Sequence, residues 1–219
     1  MALFEDYVSK FSPQELEFFA EDELVQIVPN FSLPQDTTLD CVSGEYGPFQ
    51  PNILAEVPLW MALALHKRKR CAIRPPEWMN PDNLQNVYEE ERREHTVFQA
   101  LPFHYVEIAT LLLRQAKDTF GDQLYRVQTL VEQVRKVRKT KIEAGLRMLA
   151  GPMTVKMNNL SAMECNMIRP FFLSSLDRYY RHSSMDQPPH SSQLPQDTGS
   201  SEPSQSAAPR QLRRQPAQS

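Results

Sequence analysis

The chain has 219 residues, of which 41% are hydrophobic and 23% are charged, a composition typical of a globular protein with one or two domains. Its six glycines form none of the glycine-rich patterns that hold nucleotide phosphates, and its three widely spaced cysteines argue against a zinc or disulfide framework. The net charge of −3 conceals an acidic first third, with one basic and eleven acidic residues over 1–65, and a basic middle, with 20 basic and 13 acidic residues over 66–182.

The N-terminus has no basic stretch followed by an apolar one, so we expect no secretory signal peptide. The longest apolar run has nine residues, from Val57 to Leu65, and is too short to cross a membrane. Isolated reduced cysteines are typical of cytosolic or nuclear proteins, and we expect one of these locations.

The first predicted elements are short. Residues 12–15, Ser-Pro-Gln-Glu, form a capping box with proline at the first helical position, which predicts a helix to about Glu21. The β-branched run over 24–28 and the alternation over 39–42 predict two strands. The proline-fixed stretch over 46–51 predicts irregular structure.

A helix and a strand complete the N-terminal region. Residues 58–70 are predicted to be helical, with Pro58 at the first position. The basic run 67–70 would lie at the C-terminus of this helix, where the helix dipole favours cations; a nuclear-import signal is the weaker interpretation because the run lies within folded structure. Residues 71–73 predict a last strand before the double proline at 75–76.

Beyond residue 80 the chain is predicted to be helical. Asn80 and Pro81 supply an N-cap and a first helical residue, and a second capping box at 161–164 starts the last helix. Pro170 lies within the apolar pattern of that helix and predicts a kink or a break. The predicted helices cover residues 81–95, 105–120, 123–149 and 160 onward.

These elements predict a mainly α chain with a small α+β N-terminal domain and a helical, bundle-like C-terminal domain. The end of the chain contains nine serines, seven glutamines and six prolines and cannot bury enough apolar surface to fold. The predicted segments are an N-terminal extension (1–11), a strand-containing domain (12–76), a helical domain (77–182) and a disordered tail (183–219).

No catalytic or metal-binding constellation is evident. Glu91 and His95 lie one helical turn apart, but no second pair completes a zinc site, so a solvated ion pair is the preferred interpretation. The acidic run 89–91 is interpreted as the exposed face of a helix, and Cys165 as a packed thiol. We therefore predict no catalytic residue, metal or cofactor, and a protein that is not an enzyme.

Residues 126–147 contain seven basic and two acidic residues. A basic helix face can follow a phosphate backbone, so an autonomous nucleic-acid-binding module is the alternative hypothesis, with Arg135, Lys136 and Lys139 as possible contacts. Tyr125 is the only aromatic residue nearby, which argues against stacking on bases. A solvated helix that faces an acidic neighbour is the preferred interpretation.

Six short motifs along the chain match those of a known family in order and spacing. They are Pro-Asn-Phe (29–31), Gly-Pro-Phe-Gln-Pro (47–51), Glu-Val-Pro-Leu-Trp (56–60), Cys-Ala-Ile-Arg-Pro-Pro-Glu-Trp-Met (71–79), Leu-Leu-Leu (111–113) and Asn-Leu-Ser-Ala-Met-Glu-Cys-Asn (159–166). The chain resembles GINS complex subunit 2 over residues 12–182. The basic run 67–70 and Pro170 depart from the pattern of that family.

The resemblance implies a two-domain, non-catalytic subunit of a nuclear heterotetramer. The implied partners are three sister GINS subunits, the MCM helicase ring and associated replication-fork proteins, with no membrane. The implied function is to bridge components of the replicative DNA helicase during initiation and elongation of chromosomal DNA replication. Direct contact with DNA stays open.

The helical region carries broader apolar stripes than one thin layer of helices can bury, which predicts a permanent interface. We expect the helices over 105–120 and 123–149 to pack partly on a sister subunit. We also expect Trp78, beside the double proline, to anchor the junction between the two domains. The predicted interface residues are Trp78, Met79, Tyr105, Leu112, Leu113, Val127, Leu130, Val134 and Val137.

Overall fold

The computed structural model describes residues 10–34, 38–148 and 157–185, so the predicted extension up to residue 9 and the predicted tail from residue 186 lie outside the described residues. The described part is mainly helical, with a small strand-containing N-terminal region and a helical C-terminal bundle, as predicted. The helices are α1 (Pro13–Ala20), α2 (Leu59–Lys67), α3 (Pro81–Arg93), α4 (Tyr105–Gln115), α5 (Leu124–Met148) and α6 (Ala162–Met185). The strands are β1 (Leu24–Pro29), β2 (Leu39–Cys41), β3 (Gly44–Tyr46), β4 (Ala55–Pro58) and β5 (Cys71–Ile73). Short 3₁₀ turns lie at Glu77–Met79, Lys117–Thr119 and Gly121–Gln123.

Helix α1 begins at the predicted capping box. The Oγ of Ser12 accepts a hydrogen bond from the backbone N–H of Glu15 at 3.2 Å, and the backbone N–H of Ser12 donates to Glu15 Oε2 at 2.7 Å. Pro13 occupies the first helical position, where an N–H would have no partner within the helix. Leu16 and Ala20 are buried one turn apart, so the cap fixes a helix with one apolar face toward the core.

The N-terminal region contains a three-stranded antiparallel sheet in the order β4-β1-β5. Strands β1 and β5 lie where the sequence predicts them. Along β1, Val25, Ile27 and Pro29 are buried, which is the alternation of a strand with one face on the core. Val25 lies opposite Val57 of β4, and Ile27 lies opposite Ile73 of β5.

Two further strands differ from the sequence prediction. Strand β3 pairs with β2 in a hairpin in which Cys41 lies opposite Gly44, whereas the sequence predicts a turn followed by irregular structure. Strand β4 ends at Pro58. The sequence predicts Pro58 at the first helical position of α2, but the residue lies one position earlier, at the N-cap. Because β3 and β4 have only three and four residues, pairing with other strands decides their structure more than local propensity does.

Two helices end earlier than predicted. Helix α2 ends at Lys67, and Lys69 then adopts a left-handed backbone with φ of 56°. Helix α4 ends at Gln115, where Ala116 leaves the helical region with φ of −131°, and short 3₁₀ turns follow. The residues beyond both helices therefore form tight turns and not the last turns of longer helices.

One hydrophobic core runs from the sheet into the helical region. Ile27 of the sheet and Leu112 and Val127 of the bundle belong to the same buried cluster. Trp78 is partly buried and packs against this cluster. Its ring makes an edge-to-face contact with the ring of Tyr105, with 6.3 Å between the ring centroids and 88° between the ring planes. Its energetic contribution to the junction stays a prediction.

Helix α6 continues without interruption through Pro170 to Met185, so a break at Pro170, one of the two predicted outcomes, is wrong, while a kink there stays a prediction. The helix extends past residue 183, the predicted start of the tail. Proline at this position removes one backbone hydrogen bond, at a cost of about 3 kcal/mol, and the rest of the helix tolerates the loss. Within the described ranges, no helix combines the length and apolar character that a membrane span requires.

Candidate interaction sites

Most residues predicted to form a subunit interface lie inside the core of the chain itself. Trp78, Leu113 and Val137 are partly buried. The fully buried ones, with 0–4% of their surface exposed, are Met79, Tyr105, Leu112, Val127, Leu130 and Val134. Helix α4 is covered by α1, α2 and α5, and helix α5 packs on α3 and α4. Contact with a sister subunit at these residues stays a prediction, and it would have to involve their exposed neighbours.

An exposed apolar surface lies on the outer part of α6, beyond Pro170. Phe171, Leu173, Leu176 and Tyr180 have 38%, 37%, 51% and 66% of their surfaces exposed. Leu173, Leu176 and Tyr180 follow the three- and four-residue spacing of a single helix face. The sequence pattern indicates that this segment is apolar, but it does not reveal that the described part of the chain leaves it exposed.

A second exposed apolar area surrounds the start of α1. Phe11, Phe18, Phe19 and Phe103 are 42–68% exposed. Phe11, Phe19 and Phe103 line an open groove of about 530 Å³ together with Arg169 of α6. The guanidinium of Arg169 lies 5.4 Å from the centre of the Phe11 ring, so α6 also contributes a cation–π contact to this area.

A buried ionic cluster holds the inner part of α6. Arg138 of α5 is fully buried, and its Nε and Nη2 donate to the two carboxylate oxygens of Glu164 at 2.7 and 2.8 Å. Its Nη1 donates to Glu91 Oε1 at 2.7 Å and to the carbonyl of Gln99 at 3.1 Å, and Nη2 also donates to the carbonyl of Asn159 at 2.5 Å. These bonds use all the donor positions of the guanidinium, which therefore joins α3, α5, α6 and two loops.

The carboxylates of this cluster have further partners. Glu91 also receives hydrogen bonds from the ammonium of Lys141 and, at 2.9 Å, from the backbone N–H of Gln99. The backbone N–H of Ser161 donates to Glu164 at 2.8 Å, which completes the predicted capping box of α6. Burial opposes ionisation of Glu164, but the hydrogen bonds and charge of Arg138, together with the hydrogen bonds to Ser161, outweigh it and hold the pKa of this carboxyl below its ordinary value.

Two interpretations of Glu91 made from the sequence are therefore wrong. Glu91 is 0% exposed and binds Arg138 and Lys141, so it is not part of an exposed acidic face or of a solvated pair with His95. The cause lies in its position, because Glu91 shares a helix face with the buried Leu84. Cys165 is partly buried and burial raises the pKa of its thiol, in agreement with the predicted packed thiol.

The basic stretch of α5 offers a smaller charged surface than its sequence indicates. Arg138 is buried and Lys141 is almost so, with 6% of its side chain exposed. Arg135, Lys136 and Lys139 are exposed, and they line a groove of about 260 Å³ between α5 and α6. Their predicted role as a basic contact face, and with it the hypothesis of an autonomous nucleic-acid-binding module, stays a prediction.

Among the described residues, the carboxylate of Glu107 is buried without a hydrogen-bond partner. Glu107 of α4 is 1% exposed, neither of its carboxylate oxygens makes a hydrogen bond, and Oε2 lies 4.0 Å from the unpartnered Nδ1 of His104. Burial raises the pKa of Glu107, although its own backbone N–H and the charge of Arg135 act in the opposite direction. In the described part of the chain, no three His, Cys, Asp or Glu side chains are grouped so that they could hold a metal ion.

Comparison with known proteins identifies two matching family models. Residues 12–74 match the PSF2 N-terminal domain, and residues 78–182 match the GINS complex protein helical bundle domain. The chain is 38% identical over 170 residues to the DNA replication complex GINS protein PSF2 of Xenopus laevis, which covers 76% of this chain and 89% of the relative. It is 36% identical over 182 residues to the protein of the same name from Homo sapiens, covering 82% of this chain and 96% of the relative. It is 36% identical over 178 residues to the psf2 protein of Schizosaccharomyces pombe, covering 81% and 94%.

Proposed function

Because the chain belongs to the PSF2 family of GINS complex proteins, we propose that it is a non-catalytic subunit of a heterotetrameric GINS complex. It acts in the nucleus and takes part in the initiation and elongation of chromosomal DNA replication. Its work is to bind and bridge other components of the replicative helicase.

The exposed apolar surface of outer α6 is the observation that carries this proposal. Among the described side chains of α6, every buried one precedes Pro170, whereas Leu173, Leu176 and Tyr180 present an apolar face to solvent. An apolar helix face left exposed by its own chain is typical of an interface with another protein. Since the relatives are named as proteins of a complex, we assign a sister GINS subunit as the occupant of this face.

The buried ionic cluster supports the same assignment. Arg138 and Glu164 fix the first turns of α6 against α5, so that the direction of the outer half is set by the fold before a partner arrives. A preorganised helix loses less conformational entropy on binding than a segment that orders at that moment. The other partners in this proposal are the MCM ring and associated fork proteins, which the assembled tetramer contacts. The proposal includes no membrane.

The test is co-expression of the full chain with its three sister subunits, followed by affinity purification through a tag on this chain. The double variant Leu173→Glu/Leu176→Glu places two charges on the outer face of α6. We expect it to lose the sister subunits while the chain keeps its melting temperature. The matched control is Val42→Glu/Tyr125→Glu, because these apolar residues are exposed outside α6, with 112% and 81% of their surfaces accessible.

Assembly of the control but not of the α6 variant supports the proposal. Stoichiometric assembly of both would remove the outer face of α6 as the interface. Purification of the unchanged chain from its native cells without any GINS subunit would contradict membership of the complex itself.

A further inference from the structure

The turn between α2 and β5 is strongly cationic. With Lys67, the last residue of α2, it forms the run 67–70, Lys-Arg-Lys-Arg, called here the turn 67–70, and all four residues are exposed. Among the described residues, no carboxylate lies within 4.0 Å of their charged nitrogens. By contrast, two basic residues of α5 are paired: Arg126 with Asp82 of α3, and Lys139 with Glu143 of α5 itself. The turn therefore presents four adjacent positive charges that the fold does not neutralise locally.

The backbone of this turn is held by hydrogen bonds at both ends. The N–H groups of Lys69 and Arg70 donate to the carbonyls of His66 and Leu65 at 2.8 and 2.9 Å. Asn30, which follows β1, donates its backbone N–H to the carbonyl of Arg70 at 2.9 Å and its side-chain Nδ2 to the carbonyl of Lys69 at 2.8 Å. The four basic side chains therefore extend from a backbone that hydrogen bonds already hold in place. An anion that binds them would not have to order the turn.

An open pocket of about 570 Å³ lies beside the turn, with Lys67 and Lys69 among its lining residues. Asn52 and Gln115 add amide groups to its wall. Asp118 contributes a carboxylate to the pocket wall, and this carboxylate lies 3.0 Å from Nε2 of His66. Among the described residues, no aromatic side chain other than this histidine lines the pocket, so the described structure offers no surface for stacking of unpaired bases, the usual means of holding single-stranded DNA.

We propose that the turn 67–70 is a contact site for the phosphate backbone of duplex DNA, which it binds without reading base sequence. Duplex DNA carries about one negative charge per 1.7 Å of its axis, and few other surfaces present anions as densely. The guanidiniums of Arg68 and Arg70 can each bind two phosphate oxygens, and Lys67 and Lys69 supply point charges. This inference goes beyond the proposed function, because a subunit that bridges proteins needs no DNA contact of its own.

The test measures binding of a fluorescein-labelled 20-base-pair duplex of arbitrary sequence by anisotropy, at several NaCl concentrations, with the full chain in the assembled complex. The turn variant changes residues 67–70 to Gln. The control changes four exposed basic residues outside the turn and outside the basic face of α5, Lys10, Arg92, Arg93 and Arg114, to Gln, so that both proteins lose four positive charges. We expect the turn variant to bind at least about 10-fold more weakly and its slope of log K against log[NaCl] to fall by about 2–4, since each phosphate contact contributes about 0.9. The control should stay within about 3-fold of the unchanged protein.

A third variant, Arg68→Lys/Arg70→Lys, keeps the charge and should retain most of the salt slope. An unchanged affinity in the turn variant would overturn the proposal, as would an equal loss in the four-residue control. Loss of a protein partner with intact DNA binding would also overturn it and would assign the turn to an acidic protein surface. Tetramer assembly is measured in the same samples and is expected to be normal, so that failure of this inference is distinct from failure of the proposed function.

Discussion

The two halves of α6 have opposite surroundings although they belong to one helix. The inner half contains the buried residues Ala162, Glu164 and Ile168, and Asn166 exchanges two hydrogen bonds of 2.9 Å with the backbone of Phe11. Beyond Pro170 the described side chains are exposed or partly buried, and large apolar ones are among the exposed. The inner half is thus fixed by specific polar contacts, whereas the outer half has apolar surface that the described part of the chain leaves exposed.

This contrast indicates that the two halves of α6 have different roles. The polar contacts of the inner half fix the position and direction of the helix, and the outer half supplies the surface that a neighbour can bury. If this division is right, substitutions in the inner half should affect folding, and substitutions in the outer half should affect assembly alone.

The largest effect on stability is expected for Arg138→Ala. The substitution leaves Glu91 and Glu164 buried without their central partner, and removal of one member of a buried ionic network costs about 3–5 kcal/mol. Urea denaturation of the full chain measures the free energy of unfolding. Arg135→Ala, on the exposed side of the same helix, is the control and should change it by no more than about 0.5 kcal/mol. A loss below about 1 kcal/mol in Arg138→Ala would mean that the cluster does not hold the inner half.

A smaller loss is expected for Trp78→Ala. The ring is partly buried and contacts Tyr105, whose own ring lies 5.7 Å from the guanidinium of Arg138, so the tryptophan supports the inner cluster from the side of the sheet. Full burial would correspond to a loss of about 3–5 kcal/mol, and partial burial reduces our expectation to about 2 kcal/mol. A change below about 0.5 kcal/mol in urea denaturation would show that Trp78 contributes little to the junction.

A gain of about 1 kcal/mol is expected for Glu107→Gln at neutral pH, because the buried carboxylate has no hydrogen-bond partner. Its pKa is raised on folding, so ionised Glu107 destabilises the folded state above its ordinary pKa of 4.5. The gain should therefore vanish as the pH falls below about 4.5, where both states are protonated. The charged groups around it are Arg135, Glu164, Glu17 and His104. A gain that did not depend on pH would contradict this explanation.

The smallest effect on the stability of the chain is expected for Leu173→Glu/Leu176→Glu in the outer half. Both side chains are exposed, so the free energy of unfolding of the chain alone should change by no more than about 0.5 kcal/mol. Calorimetry of the isolated chain measures this change. A loss of about 2 kcal/mol or more would exceed the usual effect of a substitution at an exposed site. It would mean that the outer half packs on its own chain.

Local signals account for the parts of the fold that the sequence predicts. The capping residues of α1 and α6, the β-branched run of β1 and the apolar spacing of α3, α4 and α5 each lie within a few residues of the element that they define. Strands β3 and β4 escape prediction because they are short and depend on pairing partners elsewhere; the end of β4 lies opposite Leu24, more than thirty residues away.

The ionic cluster escapes prediction because charged residues are expected to face solvent. The sequence nevertheless contains a signal: Glu91 lies one and two turns from the apolar positions 84, 87 and 88, and Arg138 shares a face with Val131, Val134 and Ile142. A charged residue within an apolar stripe on each of two helices is the pattern of a buried pair. The exposure of the outer half of α6 has no such signal in the sequence, because burial of a helix face depends on how distant elements pack on it.

Side-chain footprinting with hydroxyl radicals tests the central claim most directly, by comparing the chain alone with the assembled four-subunit complex. The account predicts that Leu173, Leu176 and Tyr180 react in the isolated chain and become strongly protected on assembly, while Tyr125 of α5 stays reactive in both. Equal reactivity of the outer half of α6 in the two states would contradict it.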